Sequence, residues 1–297
     1  MNRLSTLLEQ RDVILGDGAM GTMLHLAGLT VGAPEQWNVK QPDVVRSIHS
    51  GYVEAGSDFI STNTFGGNCY SLKLDELGDR VLELNEAGAR LAKEVAGEIL
   101  VAGSMGPTGD LMEPLGTLTM DGATAAFAEQ ARGLKAGGAD FALIETMSAL
   151  EEVHAAVEGA RAAGLPVAVT MSFDTNFHTM MGIKPAKAVE TISCWGVQVI
   201  GANCGNGPAE IERIMTEMTA ARPDGVALMA KSNAGMPRWK DDRITYGGTP
   251  EIMADYARRM VELGVRVIGG CCGSTPEHIA SMRKAIDGIS SPRGRKP

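Results

Sequence analysis

Three cysteines stand where packing explains them poorly. Cys271 and Cys272 lie in Val267-Ile268-Gly269-Gly270-Cys271-Cys272-Gly273-Ser274, a β-branched run that feeds two glycines, two thiols and a third glycine. Cys204 has a matching context in Ile200-Gly201-Ala202-Asn203-Cys204-Gly205. Zinc takes thiolate ligands in tetrahedral geometry, and three protein ligands leave one position open. Adjacent cysteines point to opposite faces of a regular strand. They can share an ion only where the strand has ended, and Gly270 and Gly273 supply that freedom. The expectation is that Cys204, Cys271 and Cys272 hold one Zn2+. The competing reading is a pair of buried thiols or a strained vicinal disulfide, since free cysteine often behaves as a small core hydrophobe. Cys69 and Cys194, in helix-like stretches, are assigned to the core.

Three thiolates on a dication leave the centre with a net negative charge, which makes it a poor activator of water. Such a site suits a different task. It lowers the pKa of a substrate thiol from about 8.5 and keeps the sulfur nucleophilic. Its target is an electrophilic carbon such as a methyl group. No side chain is assigned as a catalytic acid or base; the activated thiolate does the chemistry. A thiol substrate with an amino-acid head needs a carboxylate for its ammonium. Asp17, in a glycine-rich turn, and Glu145, at the end of Phe141-Ala142-Leu143-Ile144, are the candidates. Asp17 as a turn or cap residue and Glu145 in an internal salt bridge are the alternatives. Amides in the turns that hold Asn63, Thr64 and Ser104 are candidates for a substrate carboxylate, and Asn203 completes the expected binding set. The histidines lack metal-ligand spacing and are read as structural or solvated.

These residues need a scaffold that gathers them. A short apolar run, a glycine-rich or polar turn and a helical pattern recur eight times along the chain. The runs are 13–16, 59–61, 99–103, 141–144, 167–171, 197–200, 226–229 and 265–268. Continuous apolar runs suit strands buried on both faces of a parallel sheet. Pro42 and the Thr249-Pro250 pair open helices, and Gly56, Gly137-Gly138 and Gly264 close them. Eight such units predict a single α/β domain, a (β/α)8 TIM barrel over residues 1–289, followed by a flexible basic tail at 290–297. No G-x-G-x-x-G turn follows a strand, as a doubly wound nucleotide-binding sheet would require. In such barrels the site gathers at the C-terminal strand ends. Here those ends carry Asp17, Asn63 and Thr64, Ser104, Glu145, Asp174, Asn203 and Cys204, Asn233, and Cys271 with Cys272.

Composition agrees. The chain has 297 residues, a net charge of −9, 44% hydrophobic and 21% charged residues. The acidic balance argues against nucleic acid as a partner. No apolar run approaches the roughly 20 residues of a membrane span, and the N-terminus reads as an amphipathic helix, not a signal peptide. Five cysteines do not suit a secreted disulfide framework, so a reducing cytoplasm is expected.

The motifs as a set resemble the homocysteine S-methyltransferase family, nearly end to end. They are Gly16-Asp17-Gly18-Ala19-Met20-Gly21-Thr22, Asn63-Thr64-Phe65-Gly66, Gly106-Pro107-Thr108-Gly109, Ile144-Glu145-Thr146, Asn203-Cys204, Asn233-Ala234-Gly235 and Gly269-Gly270-Cys271-Cys272-Gly273. Within the family the chain looks most like the homocysteine-binding barrel of cobalamin-dependent methionine synthases. The resemblance implies zinc on Cys204, Cys271 and Cys272, with the homocysteine sulfur in the open position. It also implies Asp17 and Glu145 on the amino group, and Asn233 as a displaceable fourth ligand. Betaine-using relatives surround the donor's ammonium with aromatic rings; this chain has Thr146 and Gly66 at two of those places, and Trp37 lies near a third. Tyr70, Phe173 and Phe177 are the aromatics that could substitute. The sequence carries no Asp-x-His-x-x-Gly cobalamin-ligating motif. The expected donor is methylcobalamin on a separate corrinoid protein or methionine synthase subunit. A small onium donor (betaine, dimethylsulfoniopropionate or S-methylmethionine) and a non-catalytic thiol- or zinc-binding scaffold are the alternatives.

Overall fold

The structure is a computed structural model that describes residues 2–240 and 243–289. Eight parallel strands form one curved sheet: β1 (Ile14–Leu15), β2 (Phe59–Ser61), β3 (Leu100–Met105), β4 (Phe141–Met147), β5 (Val167–Met171), β6 (Val199–Cys204), β7 (Ala227–Ser232) and, after a short hairpin, β10 (Val267–Gly270). Their order is β1-β10-β7-β6-β5-β4-β3-β2. The seam between β1 and β2 is closed by Asp58. Its N–H donates to the Leu15 carbonyl at 2.6 Å, and its carboxylate accepts from the Leu15 N–H at 2.8 Å. With helices between successive strands, this is the (β/α)8 barrel expected.

Side chains alternate along each strand, so every second residue enters the barrel. Ile14, Phe59, Ala102, Phe141, Leu143 and Met229 belong to the buried interior cluster. Phe59 and Phe141 meet edge to face, with ring centroids 5.7 Å apart, a favoured aromatic geometry. Leu4, Leu7 and Leu8 of the helix Arg3–Gln10 pack against the same cluster and plug its lower end. A larger cluster fills the space between sheet and helices. Two residues further along the strands the interior becomes polar: Ser61, Ser104, Glu145, Thr170, Asn203 and Lys231, all buried.

That polar layer explains a consistent offset. The apolar runs place the ends of strands three, four, six, seven and eight two to four residues too early. Hydrophobic periodicity stops where polar side chains begin, but the backbone ladder continues, for example through Asn203↔Lys231 and Cys204↔Ser232. The antiparallel hairpin β8 (Pro237–Lys240) and β9 (Arg243–Tyr246), inserted after β7, is a further addition to the expected units. Cys194 is a correction. It lies just past the helix Pro185–Ser193, exposed, with its sulfur on the Glu190 carbonyl. The expected basic tail lies outside the described residues. Among the described residues no helix is long and apolar enough to cross a membrane.

His49, in the helix Pro42–Glu54, is fully buried, and neither ring nitrogen has a partner among the described residues. Burial pushes its pKa down to about 4 from an ordinary 6.5. Between those values the unfolded chain takes up a proton that the native state refuses, so stability falls as pH drops through this window. Urea midpoints measured from pH 7.5 to pH 4 should decline through it, and His49→Leu should flatten that part of the slope. Equal slopes in both proteins would remove His49 as the cause.

Candidate metal and substrate site

The C-terminal ends of the strands surround a cavity of about 390 Å3. Cys204, Cys271 and Cys272 line it, and their sulfurs all lie within 4.8 Å of one another. Cys204 Sγ and Cys271 Sγ are 3.0 Å apart. All five cysteines are free thiols, which removes the vicinal disulfide. The backbone does the gathering. β10 ends at Gly270, and the Cys271 N–H then donates to the Ser232 carbonyl at 2.7 Å. Gly273 follows in the left-handed region (φ +80°). On β6, Cys204 also takes a left-handed conformation (φ +62°). In a regular strand it would point away from the barrel, as its neighbour Ala202 does; the backbone twist brings the thiol back. Such strain in a non-glycine residue costs on the order of 1–3 kcal/mol and persists only where its surroundings enforce it.

Three thiols this close cannot all ionise alone. Hydrogen bonds from Cys204 and Cys271 pull Cys272 down to about 3, while Cys204 is pushed well above the ordinary thiol value by its contacts with Cys271 and Cys272 and by burial. A cation among the three sulfurs would favour the loss of all three protons, because thiol ligands bind a metal as thiolates. A tetrahedral ion with sulfur bonds of about 2.3 Å keeps its ligands roughly 3.8 Å apart, which this cluster accommodates. Asn233 adds a second sign of fit. Its N–H donates to the Cys204 carbonyl and its Nδ2 to the Gly205 carbonyl, leaving a buried Oδ1 without a partner among the described residues. The residues present fit zinc.

Asp17 and Glu145 both line or floor this region, and between them stands a residue the motifs did not single out. Lys231 is buried on β7 with its Nζ 3.3 Å from Asp17 Oδ1, 3.2 Å from Ser61 Oγ and 3.8 Å from Glu145 Oε2. Burial opposes its charge, but Asp17 and Glu145 outweigh that and hold its pKa above the ordinary lysine value. Asp17 is fully engaged: Oδ2 accepts from the Ser61 N–H at 2.6 Å and Oδ1 from Ser61 Oγ at 3.0 Å. Glu145 accepts from Ser104 Oγ at 2.6 Å. Burial raises its pKa although Lys231 pulls the other way. The internal salt bridge weighed for Glu145 thus exists, and it takes in Asp17 as well. The signal was in the strand: in Ala227-Leu228-Met229-Ala230-Lys231, position 231 has the inward parity of 227 and 229.

The other expected residues divide. Asn63, Thr64, Ser104 and Thr146 line the cavity. Asn203 serves it from behind: its Oδ1 accepts from the Thr146 N–H and Thr170 Oγ1, both at 2.8 Å, and its Nδ2 donates to Thr146 Oγ1 at 2.7 Å. That clamp fixes Thr146 at φ +65°. Asp174 is exposed and holds Ser172 and Thr175, away from the cavity. Of the turn amides, Ser104, Gly66 and Gly106 are already engaged, by Thr62, Glu35 and Phe65. Glu35, which sequence reasoning also passed over, is a buried carboxylate in the cavity wall whose pKa burial raises.

A sequence profile described as homocysteine S-methyltransferase matches residues 14–286. The chain belongs to the homocysteine S-methyltransferase family. Methionine synthase of Mycobacterium tuberculosis (strain ATCC 25618 / H37Rv) is 36% identical over 310 residues, which cover 97% of this chain and 26% of that protein. The methionine synthase of Mycobacterium leprae (strain TN) is 35% identical, covering 99% and 26%. The chain thus spans about a quarter of the length of these curated relatives. Among solved structures, the metallated homocysteine methyltransferase MmuM of Escherichia coli superposes with a TM-score of 0.77 at 24% identity, over 95% of this chain and 99% of that one. At that identity the likeness speaks for the barrel alone.

Lys231 offers the direct test of the site's electrostatics. Lys231→Met keeps the stem and removes the charge, which leaves two buried carboxylates unpaired. Removing one partner of a buried ion pair costs roughly 3–5 kcal/mol, and guanidinium unfolding should show a loss of that order. An unchanged midpoint would mean that Asp17 and Glu145 do not depend on this cation.

Proposed function

We propose that this barrel methylates homocysteine to methionine, with zinc on Cys204, Cys271 and Cys272 and a methyl donor that arrives on a corrinoid protein. The observation that carries the reading is the meeting of three cysteine sulfurs and a buried carboxylate in one cavity, within a chain of this family. Bound zinc supplies a lowered thiol pKa and keeps the homocysteine sulfur a nucleophilic thiolate. The remaining work falls to the protein. Asp17, Glu145 and Lys231 together carry one net negative charge, which matches one substrate ammonium. Because both Asp17 oxygens are occupied, Glu145 is the acceptor for that ammonium, and Asp17 holds Lys231. The amides of Asn63 and Phe65 are left to receive the carboxylate. The sulfur–methyl bond then forms as the donor–methyl bond breaks, and the electron pair leaves with the donor. Asn233, whose buried Oδ1 has no partner among the described residues, would be a fourth residue able to hold the ion before substrate binds.

Two observations support a large donor. Phe65 is the one aromatic ring among the lining residues, with Thr146 and Gly66 beside it. The candidate substitutes are committed elsewhere: Phe173 is in the core, Tyr70 lies under Lys73 and Phe177 under Arg213. No ring cage for an onium group surrounds the cavity among the described residues. The second observation is the distribution of exposed apolar side chains. Among the described residues, the large ones, including Leu26, Val31, Leu74, Leu115, Met180 and Trp239, lie on segments that follow the strands' C-terminal ends, or on the first turns of the next helices. An apolar rim confined to the end of the barrel that holds the cavity marks a contact surface.

Purified protein should hold about one zinc per chain. Cys272→Ala and Cys204→Ala should lose both the metal, measured by elemental analysis, and methyl transfer; undiminished turnover in metal-free protein would sink the mechanism. A donor panel with homocysteine should show turnover with methylated corrinoid protein and not with betaine, dimethylsulfoniopropionate or S-methylmethionine. Leu115→Glu on the rim should reduce transfer from the corrinoid protein and leave transfer from free methylcobalamin unchanged. Betaine turnover near 1 per second, an ordinary enzymatic rate, would reassign the donor.

A further inference from the structure

The left-handed turn at Cys204 sets two consecutive side chains on one side of β6. Asn203 has the inward parity of Val199, which belongs to the interior cluster, and the Cys204 thiol is brought back beside it. Asn203 Nδ2 then donates to Cys204 Sγ at 3.5 Å and to Cys271 Sγ at 3.8 Å. One amide group thus reaches two of the three thiols, one at the end of β6 and one just past β10. Among the described residues it makes no hydrogen bond to Cys272.

The oxygen end fixes which way the amide points. Oδ1 accepts from the Thr146 N–H, a group that can only donate, and from Thr170 Oγ1. The nitrogen is therefore the end that faces Thr146 Oγ1 and the sulfurs. It carries two N–H groups. One donates to Thr146 Oγ1 at 2.7 Å. The side chain is fully buried, and buried N–H groups are paired, so the second is left to the two sulfurs, which share it. The placement does not depend on a metal: Thr146 and Thr170 hold the amide, and the amide addresses the sulfurs.

Under the zinc reading above, on which this inference rests, the cysteine thiolates compete with the homocysteine thiolate for the methyl group. Attack by a cysteine lone pair on the methyl carbon would form a sulfur–methyl bond as the donor–methyl bond breaks, with that electron pair leaving on the donor. The cysteine would become a thioether and the site would lose a thiolate. A hydrogen bond to a thiolate draws density from the lone pair that such an attack needs. We propose that Asn203 is a positioning residue that guards against this side reaction: its amide donates to Cys204 Sγ and Cys271 Sγ, keeps both as ligands and lowers their nucleophilicity, so that the methyl group goes to homocysteine.

The test uses the full chain with two readouts that need no turnover. Thiolate-to-cobalt charge-transfer absorption, with cobalt(II) in place of zinc, reports the energy of the sulfur lone pairs. Methyl iodide applied to the zinc-loaded chain without homocysteine, followed by peptide mass spectrometry, reports how fast each cysteine is methylated. Asn203→Asp keeps an oxygen for the Thr146 N–H and Thr170 and removes both N–H donors. Its charge-transfer bands should move to longer wavelength. Methylation of Cys204 and Cys271 relative to Cys272 should rise about tenfold, the size of one charge-assisted hydrogen bond. If Asn203→Asp does not fold, Asn203→Ala carries the same two comparisons without the added charge. Thr170→Val loosens the amide on its oxygen side only and should leave bands and methylation ratios as in wild type; an equal change there would overturn the donor role. Coincident bands and unchanged ratios in the Asn203 variants would overturn it as well. A wild-type protein that gains no thiolate–cobalt absorption would instead overturn the metal reading itself.

Discussion

The barrel's upper half depends on one buried cation. Lys231 sits among Asp17, Ser61 and Glu145 with almost no access to solvent. Burying two carboxylates and an ammonium separately would carry a desolvation cost of several kcal/mol per ion. Brought together, they lower that cost and leave one net negative charge. Under the proposed function, that residue of charge meets the ammonium end of the substrate. The same arrangement ties β1, β2, β4 and β7 together at the level where the hydrophobic interior stops, so electrostatics takes over from packing as the force that holds the strand ends in register.

Next to this layer the backbone departs from regular geometry at two polar strand ends. Cys204 and Thr146 are both left-handed. Each is enforced by neighbours: Cys204 by the ladder through Ser232 and by Asn233 on its carbonyl, Thr146 by both ends of the Asn203 amide. Asn203 thus acts on the site without lining it. A hydrophobic layer could not impose such conformations, because dispersion contacts are non-directional. Hydrogen bonds with fixed donors and acceptors can, and they cluster here for that reason.

The face above the cavity differs from the rest of the surface. Apolar side chains stand exposed around it, and the hairpin β8–β9 adds Trp239 and Ile244 on the face that reaches back to Tyr246. A polar cavity floor and an apolar rim thus meet at one end of the barrel.

The sequence by itself determined the repeating units, the barrel, and the thiols as a group. Parallel strands buried on both faces leave continuous apolar runs, glycines mark the helix ends, and a cysteine pair between glycines has few structural uses. The six substrate candidates were legible as strand-end residues because strand ends in this architecture converge. Only the tertiary structure decided what each of them does. It set Asp17 against Lys231, placed Asn203 behind Thr146, moved Asp174 and Cys194 to solvent, and added Glu35. These assignments depend on which residues from distant segments share a few ångströms, and on left-handed turns that no local pattern announces. Lys231 lay at an inward parity in plain view. Its meaning required the two carboxylates that meet it from other strands.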